Sequence, residues 1–273
     1  MKTWMKTAAA ALIATAGLSA GLAGCSEANQ PDTFDVALTG QYPPFSFYDD
    51  QGELVGFDVD VANAIGEDLG QEVNFVATPW SGIVAGLQAG RYDAIIGSMA
   101  VTPERAEAVD FSEPYYLSGA QLFVHERYAE EIESIEDVGD RSLGVVVGET
   151  YQRHLEENYP QIDVRGYEGT PLIFADVKND RLAGFVTDRL VGLYQIQSAD
   201  EPFVPAGDML YTEQMAIPVA PGSEELLTRI NAALEQMKQS GELAQIHETW
   251  FGTPGELGEA PAESDADEAD ATG

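Results

Sequence analysis

Arg105 stands in a short stretch of sequence that suits the binding of an anion. Thr102 and Pro103 predict the cap and first turn of a short helix, so that Arg105 would lie in its opening turn. Backbone N–H groups at a helix start favour an anion, and a guanidinium can add a bidentate grip on a carboxylate. The sequence equally permits a surface arginine paired with Glu104 or Glu107.

Asp188 is the acidic counterpart. It follows residues 184–187, an apolar stretch that predicts a buried strand, and at that strand end it could accept hydrogen bonds from an ammonium group. It could also cap the helix predicted to begin at Arg189, and the two roles are compatible. Earlier in the chain, Gly148 permits a sharp turn, and Thr150 could cap the following helix while offering a hydroxyl.

Rigid aromatic side chains could supply the wall of a small-molecule site. The prolines at 43–44 hold the chain extended and leave Tyr42, Phe45 and Phe47 little freedom to move. Phe45 and Phe47 could equally pack in the core, so Tyr42 is the better candidate for the wall.

The elements that would position these residues are short apolar strands alternating with amphipathic helices, the pattern of an α/β fold. A strand ending at Gly97 and Ser98 would expose backbone N–H groups at its carboxyl end, where open α/β sheets bind ligands. A last helix would be capped by Ser223 and ended by Gly241. The other predicted strands cover residues 34–38, 74–77, 142–147 and 184–187, and the other helices 57–69, 81–89, 151–158 and 189–197.

Three blocks of sequence, in order and at these spacings, resemble the polar amino-acid-binding family of periplasmic solute-binding proteins, family 3 of the ABC-importer receptors. They are residues 42–60, residues 90–116 and the closing residues 248–252 (ETWFG), and the likeness covers residues 34–252. The resemblance implies a two-lobed, type II periplasmic-binding-protein fold with the ligand in the cleft between the lobes. One lobe would comprise residues 34–119 and 213–252, the other residues 120–212, with crossing segments near 119–124 and 210–215.

The resemblance also implies how a small amino acid would be held. Arg105 would bind its α-carboxylate, Asp188 would bind its α-ammonium, and the hydroxyl of Thr150 would assist from the second lobe. Tyr42 and Trp80 would enclose the ligand side chain, while Gly97, Ser98 and Ala100 would contribute mainly backbone groups. It implies a membrane permease as partner, and we expect a monomer without a cofactor.

The chain departs from the family pattern in three places. Many members have a hydroxyl residue where this chain has Ala100, small hydroxyl residues are common at Glu149, and cation-binding members tend to have an acid at Thr39. Beside the neutral Thr39 a cationic side chain would lack a counter-charge, and no second basic residue appears in a cleft motif for an anionic one. We therefore expect an uncharged ligand, either a neutral polar amino acid such as glutamine or a zwitterionic compatible solute.

The alternatives are an enzyme on the same scaffold, such as a dehydratase, and a ligand-binding partner of a membrane sensor. The sequence contains no nucleophile elbow, metal triad or phosphate loop. His125, His154 and His247 fall in segments predicted to lie on the surface, and Glu149 is the one ionisable group near the expected cleft without a binding role. These observations disfavour an enzyme, while transport and sensing remain open.

The two ends of the chain predict an anchor and a tail. Lys2 and Lys6 precede an apolar run over residues 8–22 that ends in Leu-Ala-Gly-Cys, which resembles a bacterial lipobox. Residues 1–24 would be the signal peptide and Cys25, the only cysteine, the lipidated N-terminus outside the cytoplasm, unless that cysteine is incidental. Residues 25–33 would form a tether, and residues 253–273, with seven acidic and no basic residues, a disordered tail.

The charge is strongly acidic. The chain has 47 acidic and 13 basic residues, and residues 34–252 alone hold 38 and 11. Such a balance excludes nucleic-acid binding, which needs a basic footprint. It predicts either an organism living in high salt, where surface repulsion is screened, or simply an acidic secreted protein.

Overall fold

The computed structural model describes residues 33–197 and 200–252. The predicted signal peptide, the Cys25 anchor and the acidic tail lie outside these residues. So does the predicted tether, except for Thr33, which begins the first strand instead.

The described elements alternate between strands and helices, as the sequence pattern predicts. The strands are β1 (Thr33–Leu38), β2 (Gln41–Tyr42), β3 (Ser46–Tyr48), β4 (Leu54–Val55), β5 (Glu72–Ala77), β6 (Ala94–Ile95), β7 (Met99–Ala100), β8 (Asp110–Phe111), β9 (Tyr116–His125), β10 (Ser142–Val146), β11 (Asp163–Tyr167), β12 (Gly184–Asp188), β13 (Phe203–Ala216) and β14 (Pro218–Val219). The helices are α1 (Phe57–Leu69), α2 (Trp80–Gln88), α3 (Pro103–Ala106), α4 (Thr150–Asn158), α5 (Thr170–Lys178), α6 (Arg189–Gln197), α7 (Glu224–Ser240) and α8 (Glu242–Phe251).

Two sheets organise the molecule, which confirms the predicted α/β class. The first has the order β5-β1-β6-β14-β8, with β1 parallel to both β5 and β6. The second has the order β11-β10-β12-β9-β13-β7, with β10 parallel to β11 and β12. Parallel central strands are covered on both faces, so β1 and β10 are nearly continuous runs of buried apolar residues.

Two long antiparallel strands, β9 and β13, connect these layers. Gly119 pairs with Thr212, and a Cβ added at Gly119 would lie 2.2 Å from the carbonyl oxygen of Tyr211, so the backbones approach too closely for any side chain. The other edge of β13 pairs with β7 through Met215 and Ala100. The short strand that carries Ala100 is therefore hydrogen-bonded directly to a connecting strand.

Most predicted elements agree with the structure, but two predicted caps are wrong. Ser223 occupies the N-cap position of α7 without a side-chain hydrogen bond, because its ψ of 39° departs from the extended geometry of a capping residue. Thr150 already lies in the first turn of α4, and Glu149 occupies the cap position. The strand expected to reach Gly97 ends at Ile95. Gly241 ends α7 in the left-handed conformation, as predicted.

Candidate ligand-binding cleft

Arg105 lies where the sequence places it, in a short helix capped by Thr102. The Thr102 hydroxyl accepts a hydrogen bond from the Arg105 backbone N–H at 3.1 Å. The guanidinium donates to two carbonyl oxygens, from Nη1 to Ala100 at 2.9 Å and from Nη2 to Gly148 at 3.1 Å. It also lies 5.5 Å from the ring centroid of Trp80. Two neutral carbonyls and an indole therefore fix its position, and further guanidinium donors remain for a ligand.

The alternative interpretation of Arg105 as a paired surface residue is wrong. Glu104 instead forms an ion pair with Arg153, and neither Glu104 nor Glu107 pairs with Arg105 among the described side chains. Burial lowers the pKa of Arg105, while the negative charges of Glu213 and Glu149 oppose that shift. Arg105 is therefore a partly desolvated cation that suits an incoming carboxylate.

Asp188 is the last residue of β12 and is almost completely buried, at 1 % exposure. Its Oδ1 accepts hydrogen bonds from the Ser118 hydroxyl at 2.8 Å and from the Leu190 N–H at 2.7 Å, so it caps the start of α6. Its Oδ2 has no hydrogen-bond partner in the described part of the chain. Burial raises the pKa of Asp188 to about 7. One oxygen thus holds the helix start, and the other remains available.

The sequence analysis missed a second acid in the same place. Glu213 lies on β13 and lines a cavity together with Glu149 and Arg105. Glu149 Oε2 and Glu213 Oε2 are both buried and lack a hydrogen-bond partner within residues 33–197 and 200–252. The conclusion that Glu149 is the only unassigned acid near the cleft is therefore wrong. The local sequence around Glu213 does not indicate that this residue lies at the cleft. Its place in the predicted crossing segment near 210–215 is the signal that could have indicated it.

Burial dominates the electrostatics of this pair. It raises the pKa of Glu149 to about 8, although the charge of Arg105 acts in the opposite direction. Burial also raises the pKa of Glu213, with the Thr150 hydroxyl and Arg105 opposing it. Two acids that resist ionisation therefore lie close to one cation that is held by neutral groups.

The space enclosed by these residues, which we call the cleft, brings most of the predicted binding residues together. Its central cavity measures about 10 Å³, and adjacent cavities of about 300 and 180 Å³ lie beside it. The central cavity alone has room for about one water molecule, which is too little for an amino acid. It is lined by Trp80, Ser98, Ala100, Arg105, Glu149, Thr150, Tyr151 and Glu213.

Tyr42 lies beside this cavity, whereas the other two aromatics of its loop have packing roles. Its hydroxyl is 3.4 Å from the hydroxyl of Thr187, the residue before Asp188, and its ring stacks on Phe45 at 5.3 Å. Phe45 is fully buried, and Phe47 packs against Trp250 at 6.0 Å. The choice that the sequence left open is thus settled in favour of packing for both phenylalanines.

Ser98 has a different role from the one expected. Its backbone N–H, predicted to face a ligand, donates to the Tyr115 hydroxyl at 3.0 Å, and its own hydroxyl donates to Asp58 Oδ2 at 2.8 Å. The Tyr115 hydroxyl donates to Asp58 Oδ1 at 2.7 Å. Ser98 has a φ of 55°, and this fully buried carboxylate holds it in that uncommon conformation. Neighbouring Gly97 lies beside Trp80, since a Cβ added there would be 3.8 Å from the ring.

The surface location predicted for the histidines is wrong for two of them. His125 and His247 are buried, at 7 % and 3 % exposure. His125 Nδ1 accepts from the Arg127 N–H at 3.2 Å, and the His247 ring packs at a tilt against that of Phe251, with the ring centroids 4.5 Å apart. His154 is partly buried and lines one of the cavities beside the centre, together with Arg153 and Glu213.

Among residues 33–197 and 200–252, no group of three or more histidine, cysteine or acidic side chains could hold a metal ion. None of the helices described is long and apolar enough to cross a membrane.

Comparison with known proteins places this geometry in a family. The sequence profile of the bacterial extracellular solute-binding proteins, family 3, matches residues 34–253. The L-cystine-binding protein TcyJ of Escherichia coli is 33 % identical over 220 residues, which is 81 % of this chain and 83 % of TcyJ.

Solved structures of two-lobed binding proteins match as well. An ancestral arginine-binding protein bound to arginine is 36 % identical with a TM-score of 0.76, covering 81 % of this chain and 98 % of that one. The ancestral amino acid-binding protein AncCDT-1, a precursor of cyclohexadienyl dehydratase, is 36 % identical with a TM-score of 0.76 over 80 % of this chain and 95 % of its own. These matches confirm the two-lobed fold predicted from the sequence.

Proposed function

The chain belongs to the bacterial extracellular solute-binding proteins of family 3, and we propose that it is the receptor that captures an amino acid for an ABC importer. The observation that carries this proposal is the pair formed by Arg105 and Asp188. Arg105 lines the central cavity, Asp188 is buried near enough to raise the pKa of Glu149 in that lining, and each keeps hydrogen-bonding capacity that the described residues leave unused. An α-carboxylate and an α-ammonium are the two charges that such a pair matches.

The two halves of the grip come from different parts of the fold. Arg105 lies on α3, between β6 and β8 of the first sheet in the chain, whereas Asp188 ends β12 of the second sheet. We propose lobes of residues 34–119 with 213–252 and of residues 120–212, so that a ligand bound by both residues favours the closed arrangement. The direct hydrogen bond from Arg105 to Gly148 spans that proposed division.

Delivery to a permease fits the observations better than catalysis does. The family consists of solute-binding proteins, and TcyJ is named for binding L-cystine. An enzyme on this scaffold would need a catalytic group at the cleft, and Glu149 and Glu213 are explained more simply as ligand contacts. The Cys25 anchor would keep a monomeric receptor beside its permease, and membrane fractionation of a Cys25→Ala variant tests that prediction.

Two observations point to different charges on the side chain of the preferred ligand. The neutral Thr39 favours an uncharged ligand such as glutamine, and its hydroxyl accepts from the Gln41 N–H at 3.3 Å. The argument that a cationic side chain would lack a counter-charge is weakened by Glu149 and Glu213. The cleft holds these two acids without an assigned role. The acids favour a ligand with added positive charge.

Calorimetric titration of the mature chain with a panel of amino acids tests the proposed function. Arg105→Ala and Asp188→Asn should each weaken binding of the best ligand by about 30-fold or more, which corresponds to roughly 2 kcal/mol or more for a broken buried charge pair. Arg91→Ala and Asp50→Asn, which remove the same charges from exposed positions, are the matched controls and should bind like the parent. Binding by Arg105→Ala within threefold of the parent would show that the site is misplaced.

A further inference from the structure

The molecule buries more carboxyl groups at and beside the cleft than the grip on an α-amino acid requires. Three carboxylate oxygens, on Glu149, Asp188 and Glu213, are buried without a hydrogen-bond partner in the described chain. Asp188 alone suffices for an α-ammonium. A buried carboxylate oxygen without a partner is costly, so the other two require an explanation.

Glu149 and Glu213 reach this place from separate elements. Glu149 occupies the N-cap position of α4, at the turn after β10, without a capping hydrogen bond from its side chain. Glu213 lies on the connecting strand β13, where it pairs with Ser118 of β9. Both line the central cavity on which Trp80 and Arg105 also lie. Their convergence therefore results from the tertiary fold and is not a local run of surface acids.

Arg105 forms no ion pair with either of these glutamates. Its guanidinium hydrogen bonds go to the carbonyl oxygens of Ala100 and Gly148, and it takes part in no ion pair within 4.0 Å among the residues described. Its remaining donors are needed for the ligand's α-carboxylate. When the ligand binds, Arg105 is neutralised by that carboxylate, and the two glutamates then lack a counter-charge altogether.

We propose that Glu149 and Glu213 form an acidic subsite that binds a second cationic nitrogen of the ligand, beyond the α-ammonium held by Asp188. The proposal rests on the proposed function and specifies the ligand class: an amino acid that carries an additional ammonium or guanidinium. The subsite would supply the counter-charge that the family resemblance places at the position of the neutral Thr39.

Matched ligand pairs separate the effect of charge from that of shape. Arginine and citrulline have similar shapes but differ in the charge at the end of the side chain, and lysine and norleucine differ by the terminal ammonium. Calorimetry at one pH and one salt concentration should show arginine or lysine binding about 30-fold or more tightly than its neutral counterpart. Cystine, whose second cation is an α-ammonium, is titrated in parallel and distinguishes that source from a side-chain cation.

Substitution of each glutamate tests the assignment to residues. Glu149→Gln and Glu213→Gln keep the shape and should weaken the cationic ligand about 30-fold or more while changing its neutral counterpart less than threefold. Glu157→Gln removes the same charge from an exposed position on an adjacent cavity and should change neither ligand. Thermal unfolding of each variant verifies that the fold is retained, and the unchanged binding of the neutral ligand serves as a second check.

The outcomes distinguish this inference from the function on which it rests. If citrulline equals arginine and norleucine equals lysine, or if glutamine binds most tightly, the acidic subsite is refuted while the amino-acid receptor stands. Equal loss of neutral and cationic ligands in both variants would give the glutamates a merely structural role and also refute it. If no amino acid binds, both proposals fail.

Discussion

Asp58 and Glu149 are both buried carboxylates in a single fold, yet their surroundings differ. Burial raises the pKa of Asp58 to about 7 and that of Glu149 to about 8. Both oxygens of Asp58 accept hydrogen bonds from hydroxyls, those of Ser98 and Tyr115, whereas Oε2 of Glu149 has no partner among the described residues. The first carboxylate is satisfied by the protein and shapes a loop. The second is left for something the protein binds.

The largest effect should come from removing the satisfied carboxylate. Asp58→Ala would leave the buried hydroxyls of Ser98 and Tyr115 without their acceptor, so we expect a loss of about 2–4 kcal/mol in the free energy of unfolding. Urea unfolding measures it, with Glu149→Ala as the comparison. Because Glu149 Oε2 has no partner to lose, its removal should cost less than about 1 kcal/mol or stabilise the ligand-free protein. If Asp58→Ala and Glu149→Ala lose the same free energy of unfolding, the two carboxylates do not differ in the way proposed.

The pH dependence of stability sharpens the comparison. A raised pKa in the folded state means that the native protein binds more protons than the unfolded chain between about pH 4 and pH 8. Each such acid therefore lowers the free energy of unfolding as pH rises through that window, by up to about 1.4 kcal/mol per pH unit. The charges facing Glu149 are those of Arg105, Glu213 and Asp188, and Asp188 also acts on Asp58.

Two variants separate these contributions in urea titrations at pH 5, 6, 7 and 8. Asp58→Asn and Glu149→Gln should each flatten the decline in stability. In the parent protein, a saturating cationic ligand should also reduce the decline of stability with pH, because the ligand's charge stabilises ionised Glu149. The part of the decline that comes from Asp58 should remain. Stability that rises from pH 5 to pH 8 in the ligand-free parent would contradict the raised pKa values.

The smallest effect concerns the exposed acids, which differ from both buried carboxylates because salt can screen them. With 38 acids and 11 bases in residues 34–252, repulsion should outweigh the exposed ion pairs such as Arg141 with Glu131. We expect the Tm to rise by about 2–4 °C, or about 1 kcal/mol, between dilute buffer and molar potassium chloride. A steady fall in Tm would show that ion pairing dominates instead.

The sequence predicts elements whose stability is local and misses contacts that depend on the tertiary fold. The predicted bounds of α1 agree with the observed ones, because Phe57, Val61, Ile65 and Leu69 repeat along one helical face. Asp58, however, looks like any acid in the first turn of a helix. Only packing against Ser98 and Tyr115 reveals that it is a buried acceptor.

The candidate site likewise has one part that the local sequence predicts and another that depends on tertiary contacts. Thr102, Pro103 and Arg105 form a local motif, and the structure has the helix and cap that it predicts. Glu213 is 64 residues from Glu149 in the sequence, and no local pattern indicates that the two line one cavity. The binding roles of Tyr42, Thr150 and Asp188 come from family likeness and stay predictions, although all three lie at or beside the cleft.

Trp80 gives the cleft its own spectroscopic reporter. Its indole lies 5.5 Å from the Arg105 guanidinium, and a Cβ added at either Gly97 or Gly148 would lie 3.8 Å from its ring. The other described tryptophan, Trp250, donates to Asp60 at 2.7 Å and packs against Phe47, away from the residues that line the cavity. A ligand that engages the guanidinium must change the electric field at one indole and leave the other as a constant background. The emission spectrum of the unlabelled protein should therefore follow occupancy of the cleft in real time.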